Sequence, residues 1–463
     1  MKSGTQSEYL SMGMEQIQHF VLVMMENRSF DHYLGALDLP PENRNDVEGL
    51  GRGGLPVNRH VGDPATDTGV PPWPMDDVRL EFFDPPHEGP EVRRQWNKGQ
   101  MDGFVSAYES FHARTVANLP APVNVSPLLG TSAPAPPDIR QMARVVMGYY
   151  TRKTLPVLYK LADEFAVFDR WHSSFLGSTH PNRIFATAGY SGDVVTTTWK
   201  TALRNKPDPI WAAWEKKRGS PNGITWKTYK LPSELSMFAL WPGFANGREA
   251  NAGSLKDFVA DCKADSLPEI AIVEPPYSSA DDHPTHDPRR GQQFLGFIVD
   301  ALLQSPSWKS TALILTYDEH GGFSDHVPPP STPEGRTEPW DVLGLRVPTI
   351  VASPFTRPMV VSEPFEHTSI LKTIAERWGL DIPASAGPRL PKVKSLWDSC
   401  FEFTRSRGRA GKTIAMPSVT ADWRAQISAD GAGPVKSDMA DSLVKATQLS
   451  SLSELDSLLE GDG

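Results

Sequence analysis

Three apolar runs that each break off into acidic loops constrain this chain more than any other feature. Residues 20–25 (FVLVMM) run into Glu26 and Asn27. Residues 270–273 (IAIV) run into Glu274 and a polar loop holding Asp281, Asp282, His283, His286 and Asp287. Residues 312–315 (ALIL) run into Thr316, Tyr317, Asp318, Glu319 and His320. A short unbroken apolar run suits a strand covered on both faces. An amphipathic helix over 292–304 separates the second run from the third, and strand, loop, helix and strand in succession predict a mostly parallel sheet flanked by helices. The expected fold is therefore α/β, a three-layer sandwich. In such sheets the carboxyl edge is where loops converge and ligands bind.

With 463 residues, 39% of them hydrophobic, the chain can bury a core of enzyme size. Its net charge of -10 argues against a general nucleic-acid binder, which needs clustered Lys and Arg, but leaves a small phosphorylated substrate open. Cys262 and Cys400 lack metal-ligand spacing and read as reduced, packed thiols. No apolar run of 18 residues occurs, so no spanning helix is expected. No export signal precedes Phe20, which places the chain in the cytoplasm, or in the periplasm or outside the cell if its start has been trimmed.

Residues 36–145, rich in Pro and Gly, read as an insertion folded over the strand ends. Within it His87 sits on a Pro-bounded loop before a helix of about 20 residues carrying Trp96, Phe104 and Tyr108. Residues 141–170 look helical and end in a short strand. A further helix starts around Thr179 to Asn182, with Ser178 and Thr179 as caps and Pro181 in its first turn. A hydroxyl there meets the positive end of the helix dipole, a natural seat for phosphate. The catalytic unit is expected over 16–400. Beyond it, 401–463 forms an extension whose helix over 438–459 packs on its own domain or docks a second copy.

If the strand ends converge, Glu26, Asn27, Asp318 and Glu319 share one crevice, and carboxylates at close range need a compensating charge. One divalent cation supplies it. The all-oxygen set favours calcium, magnesium or manganese, while nearby histidines leave zinc or iron open. A hydroxyl from Thr179 or Ser178 beside that cation becomes a nucleophile near neutral pH. His87, His283 and His367 suit holding phosphoryl oxygens or protonating the leaving group. Arg28 to Gly35 reads as the first turn of the following helix, without a chemical role.

Six ordered blocks, HFVLVMMENRSFDHYLG, QWNKGQMDGFV, THPNR, EPPYSSADDHP, TYDEHGGFSDHVPP and EHTSILKTIAERWGL, carry a resemblance. Together they are similar to the bacterial phosphoesterase family of phosphatidylcholine-type phospholipases C and acid phosphatases, within the alkaline-phosphatase superfamily. The resemblance implies metal ligands at Glu26, Asn27, Asp318 and Glu319, and a nucleophile at Thr179 that also touches the metal, with Ser178 as runner-up. It implies phosphoryl binding by Asp282 and His283, a matching role for His87, and a phosphate contact from His326 or His367. The implied activity is phosphoester hydrolysis through a phosphothreonine, on a phospholipid head group, a glycerophospho compound or a soluble monoester. Trp73, Trp96, Tyr108 and Trp340 could wall a quaternary ammonium. A sulfatase would need Cys or Ser in the slot that holds Thr179, and a non-catalytic binder would be expected to lack a ligand or nucleophile.

Overall fold

The fold is described in a computed structural model covering residues 13–76, 83–117, 138–198, 206–215, 223–234, 236–241, 249–403 and 414–417. Eight strands form the central sheet: β1 (His19–Met25), β2 (Ala166–Phe168), β3 (Trp226–Lys230), β4 (Ala252–Ser254), β5 (Ile270–Val273), β6 (Thr311–Tyr317), β7 (Ile350–Ala352) and β8 (Met359–Val361). Their order is β8-β2-β7-β6-β1-β5-β3-β4. Every pairing is parallel except those of β7 with β2 and β6. Every residue of β5 and β6 is buried, so both faces of the sheet's centre are covered and the expected layered α/β architecture is present.

The main helices are α1 (Phe30–Tyr33), α2 (Gly89–Trp96), α3 (Phe104–Ala117), α4 (Pro156–Glu164), α5 (Thr179–Ala188), α6 (Leu255–Lys263), α7 (Pro288–Leu303) and α8 (Thr368–Trp378). α4 and α6 pack on α7, and α5 packs on α8. The register pairs Met25 of β1 with Tyr317 of β6, so Glu26 and Asp318 leave adjacent strands side by side. Asp318 N–H donates to the Met25 carbonyl at 3.1 Å, and Glu26 N–H donates to the Asp281 carbonyl at 2.7 Å. Three acidic loops are thereby tied together through backbone.

Some expectations change. The helix of about 20 residues after His87 is two helices, α2 and α3. Asn97 (φ 42°) caps α2 in the left-handed region and its side chain donates to Asp102, so the chain turns before α3 begins. Over 141–170 the α-helix is confined mainly to α4, because Pro156 starts it and the preceding residues form a short 3-10 turn and bends. The insertion is more than a cover: Met75, Val92, Met101 and Phe104 join the hydrophobic core. Cys262 and Cys400 are buried, unbridged thiols. The helix expected over 438–459, with its docking role, lies outside the described residues.

Candidate active site

Five loops build the site. Asn27 takes φ 57° directly after β1, a left-handed turn that redirects the chain at the strand's end. Its N–H donates to Asp318 Oδ1 at 3.1 Å. Gly321 lies against it so closely that a Cβ there would stand 2.0 Å from the Asn27 carbonyl oxygen. The chain after β6 can approach at this point only as glycine. Thr179 is the first residue of α5, and its Oγ1 donates to Asn27 Oδ1 at 3.3 Å. Ser178, the preceding cap residue, turns its hydroxyl the other way and donates to Glu88 at 3.0 Å.

Glu26 is fully buried, and among the described residues neither of its carboxylate oxygens finds a hydrogen-bond partner. Burial first, and then the charge of Asp281, pushes its pKa well up, with Arg183 pulling the other way. Asp318 is differently placed: Oδ1 accepts from two backbone N–H groups and Oδ2 accepts from Arg183 Nε at 2.9 Å. Arg183, 1% exposed, is the cation of this crevice and also reaches the Met24 and Met25 carbonyls and the Tyr277 hydroxyl. Glu319 Oε2 accepts from Gly321 N–H, while Oε1 is buried without a partner among the described residues. Buried carboxylate oxygens left in this state cost several kcal/mol unless a cation meets them. Glu26, Glu319 and the Asn27 amide oxygen are of the ligand type that suits a hard divalent cation, with Asp318 already bonded to Arg183. The acid and histidine groups whose ligand atoms converge among the described residues are Asp84 with His87 and His283, and Asp31 with Asp325 and His326.

His87 and His283 come together, their ring centroids 5.7 Å apart. Each lies with its Nδ1 against a backbone carbonyl, Pro85 at 2.7 Å and Pro284 at 2.9 Å. That sets the Nδ1 proton toward the backbone in each ring. His87 Nε2 faces the Asn27 amide at 3.5 Å, and Asp84 at the rim stands 3.9 Å from a nitrogen of each ring.

Other expected residues are placed away from this centre. Asp282 accepts from the Tyr317 hydroxyl at 2.7 Å and packs on Gly291 of α7, while its neighbour Asp281 is the acid that acts on Glu26. The Asp282 backbone takes a φ of 74°. His367 spends both ring nitrogens on protein, accepting from Trp171 Nε1 at 3.3 Å and donating to the Asp318 carbonyl at 2.8 Å. Burial holds its pKa down at about 4, so the ring is a neutral strut beneath Asp318. His326 Nδ1 meets Asp31 at 2.7 Å in a cluster with Asp325 whose cation is Arg346, bonded to both carboxylates at 2.8 Å. Although three ligand-type groups meet there, a guanidinium already neutralises them. Neither His326 nor His367 is arranged to hold phosphate. Trp73, Trp96 and Trp340 each carry an arginine over their own ring, Arg144, Arg93 and Arg336, and Tyr108 bonds the Phe83 backbone, so the four make no cage.

Arg28 has a role where none was expected. Buried among the rings of Tyr33 and Phe323, it donates to the Asp282 carbonyl at 2.6 Å and the His283 carbonyl at 3.3 Å, fixing the loop that presents His283. Arg183 and Asp281 were the other residues missed. A long basic residue in the first turns of the small-residue segment THPNR was the available signal for Arg183.

A sequence profile of the Phosphoesterase family matches residues 17–381. Phospholipase C B of Mycobacterium tuberculosis is 32% identical over 460 residues, covering 88% of this chain and 81% of that one. Non-specific phospholipase C1 of Arabidopsis thaliana is 32% identical over 397 residues, covering 79% and 67%. Among solved structures, a protein in the alkaline phosphatase superfamily from Vibrio parahaemolyticus aligns over 66% of this chain and 82% of its own, at 12% identity and a TM-score of 0.34. No described helix is long and apolar enough to cross a membrane.

Proposed function

The chain belongs to the phosphoesterase family and is a phosphoric ester hydrolase, and from that premise we propose that it cleaves phosphodiesters in the manner of a phospholipase C, with Thr179 as nucleophile and one divalent cation. One observation carries the reading: the Thr179 hydroxyl, at a helix start, donates to Asn27, next in sequence to Glu26, whose two buried carboxylate oxygens accept no hydrogen bond among the described residues. Glu26, Asn27, Asp318 and Glu319 would hold the cation. A bound cation would acidify the Thr179 hydroxyl and draw charge from the phosphoryl oxygens.

The N–H groups of the first turn of α5 orient the phosphate. Thr179 Oγ1, its proton passed to solvent so that it attacks as the alkoxide, forms a bond to phosphorus as the bond to the leaving alkoxide breaks, and a protonated His87 or His283 gives the leaving alkoxide its proton. Water then attacks the phosphothreonine, the same imidazole takes up its proton, and Thr179 is restored with release of the phosphorylated product. Arg183 bonds Asp318 and opposes the burial that raises its pKa.

Phospholipase C relatives favour a diester over the alternative of a soluble phosphomonoester. We expect p-nitrophenylphosphorylcholine and phosphatidylcholine to be turned over faster than p-nitrophenyl phosphate, with activity lost to a chelator and restored by calcium, magnesium, manganese or zinc. Thr179→Ala is expected to lose about a thousand-fold in kcat, as removal of a nucleophile does, while Ser178→Ala keeps most of it. Normal activity in Thr179→Ala would overturn the assignment, and no turnover of any ester with any of these ions would overturn the function.

A further inference from the structure

We infer that Asp281 is a further carboxylate ligand of the divalent cation, held in position by His286 behind it. The inference rests on the cation of the proposed function and adds a residue from β5's loop to those contributed by β1 and β6. Asp281 is fully buried, and its backbone carbonyl accepts from Glu26 N–H at 2.7 Å, which binds the two residues side by side. Its Oδ1 is spent on protein, accepting from His283 N–H at 3.0 Å and from His286 Nδ1 at 2.5 Å. Its Oδ2 is buried and, among the described residues, has no hydrogen-bond partner.

Neither oxygen of Glu26 accepts a hydrogen bond among the described residues, and the one guanidinium near it, Arg183, is shared with Asp318. The guanidinium bonds Asp318 at 2.9 Å and stands 3.5 Å from Glu26. Two buried carboxylates on adjoining strand ends, offering three oxygens with no donor, call for a cation or a shared proton. The division of labour within Asp281 favours the cation. A ligating carboxylate that gives one oxygen to an imidazole N–H behind it and the other to a metal is the usual outer-sphere arrangement, in which the hydrogen bond fixes the ligand's direction. His286 is itself buried and makes that bond with Nδ1. The bend is local: Asp282 and Thr285 both take positive φ, 74° and 82°, directly after the Asp281 carbonyl that accepts from Glu26 N–H.

Chelator-stripped full-length protein titrated calorimetrically with Mn²⁺ tests this, comparing wild type with Asp281→Asn, His286→Gln and Glu26→Gln. Asp281→Asn keeps an acceptor for the His283 N–H but removes the charge. It is expected to weaken Mn²⁺ by at least about tenfold, and His286→Gln by about tenfold, the usual effect of losing an outer-sphere partner. Glu26→Gln is expected to abolish binding. Affinities of Asp281→Asn and His286→Gln within about twofold of wild type, with Glu26→Gln inactive in binding, overturn the inference, leave the proposed function standing, and assign the pair a shared proton. Should Asp281→Asn fail to fold by circular dichroism, His286→Gln decides alone by the same criterion. Absence of Mn²⁺ binding in wild type overturns the inference together with the cation of the proposed function.

Discussion

Asp282 shows how one carboxylate can matter to stability without entering the chemistry. Burial first, with smaller contributions from Asp281 and Asp287, pushes its pKa up to about 7 against the opposing effects of Arg28 and the Tyr317 hydroxyl. The folded protein therefore holds this proton more tightly than the unfolded chain does. Such a group adds stability that is fully present below the ordinary carboxylate range and is lost as pH rises through about 7. Asp282→Asn keeps an acceptor for Tyr317 and removes the titration. At about pH 8 the variant should be more stable than wild type, by on the order of 2–4 kcal/mol, and at about pH 4 the two should match. Urea melts at the two pH values check this. A variant less stable than wild type at the higher pH would show that the carboxylate is ionised and satisfied, and loss of turnover in a well-folded variant would return Asp282 to the reaction.

Between elements, the Glu88 side chain couples the insertion to the start of α5. Glu88 caps the start of α2 in sequence, next to His87, and its carboxylate accepts from the Ser178 hydroxyl at 3.0 Å and from Thr197 N–H at 3.3 Å. The loop that carries His87 is thereby fastened to the residue immediately before Thr179. Glu88→Ala should let the two drift apart, lowering kcat by about tenfold while KM changes little, since what is lost is alignment in the transition state. Ser178→Ala should do a part of the same damage, and the double variant should be no worse than Glu88→Ala alone because both break one link. Additive losses in kcat would separate the two residues and dissolve the latch.

At the scale of the whole molecule, the parts legible in the sequence were those with a one-dimensional signal. Apolar runs gave β1, β5 and β6 and their acidic ends, and a Ser-Thr-His-Pro start gave α5. Which acid of the pair Asp281 and Asp282 stands by Glu26 depends on the bond from Glu26 N–H to the Asp281 carbonyl, and the partnership of Arg183 with Asp318 depends on how α5 meets the end of β6. Neither leaves a periodic trace. The catalytic unit is expected to run to residue 400. The family profile ends at residue 381, yet Trp397 packs edge-on against Phe20 of β1 with centroids 6.0 Å apart and donates its Nε1 to the Thr373 carbonyl at 3.1 Å. Phe401 lies against Trp397, and Phe403 lies against Phe355 at 5.3 Å. Losing a buried aromatic costs about 3–5 kcal/mol, and a domain holds only about 5–15 in all. A chain cut after residue 390 should therefore fail to fold, because the amino end of β1 loses its cover. Thermal melts and p-nitrophenylphosphorylcholine hydrolysis on this truncation decide it. A stable, active chain ending at 390 would mean that the Trp397 cluster is dispensable to the sheet it covers.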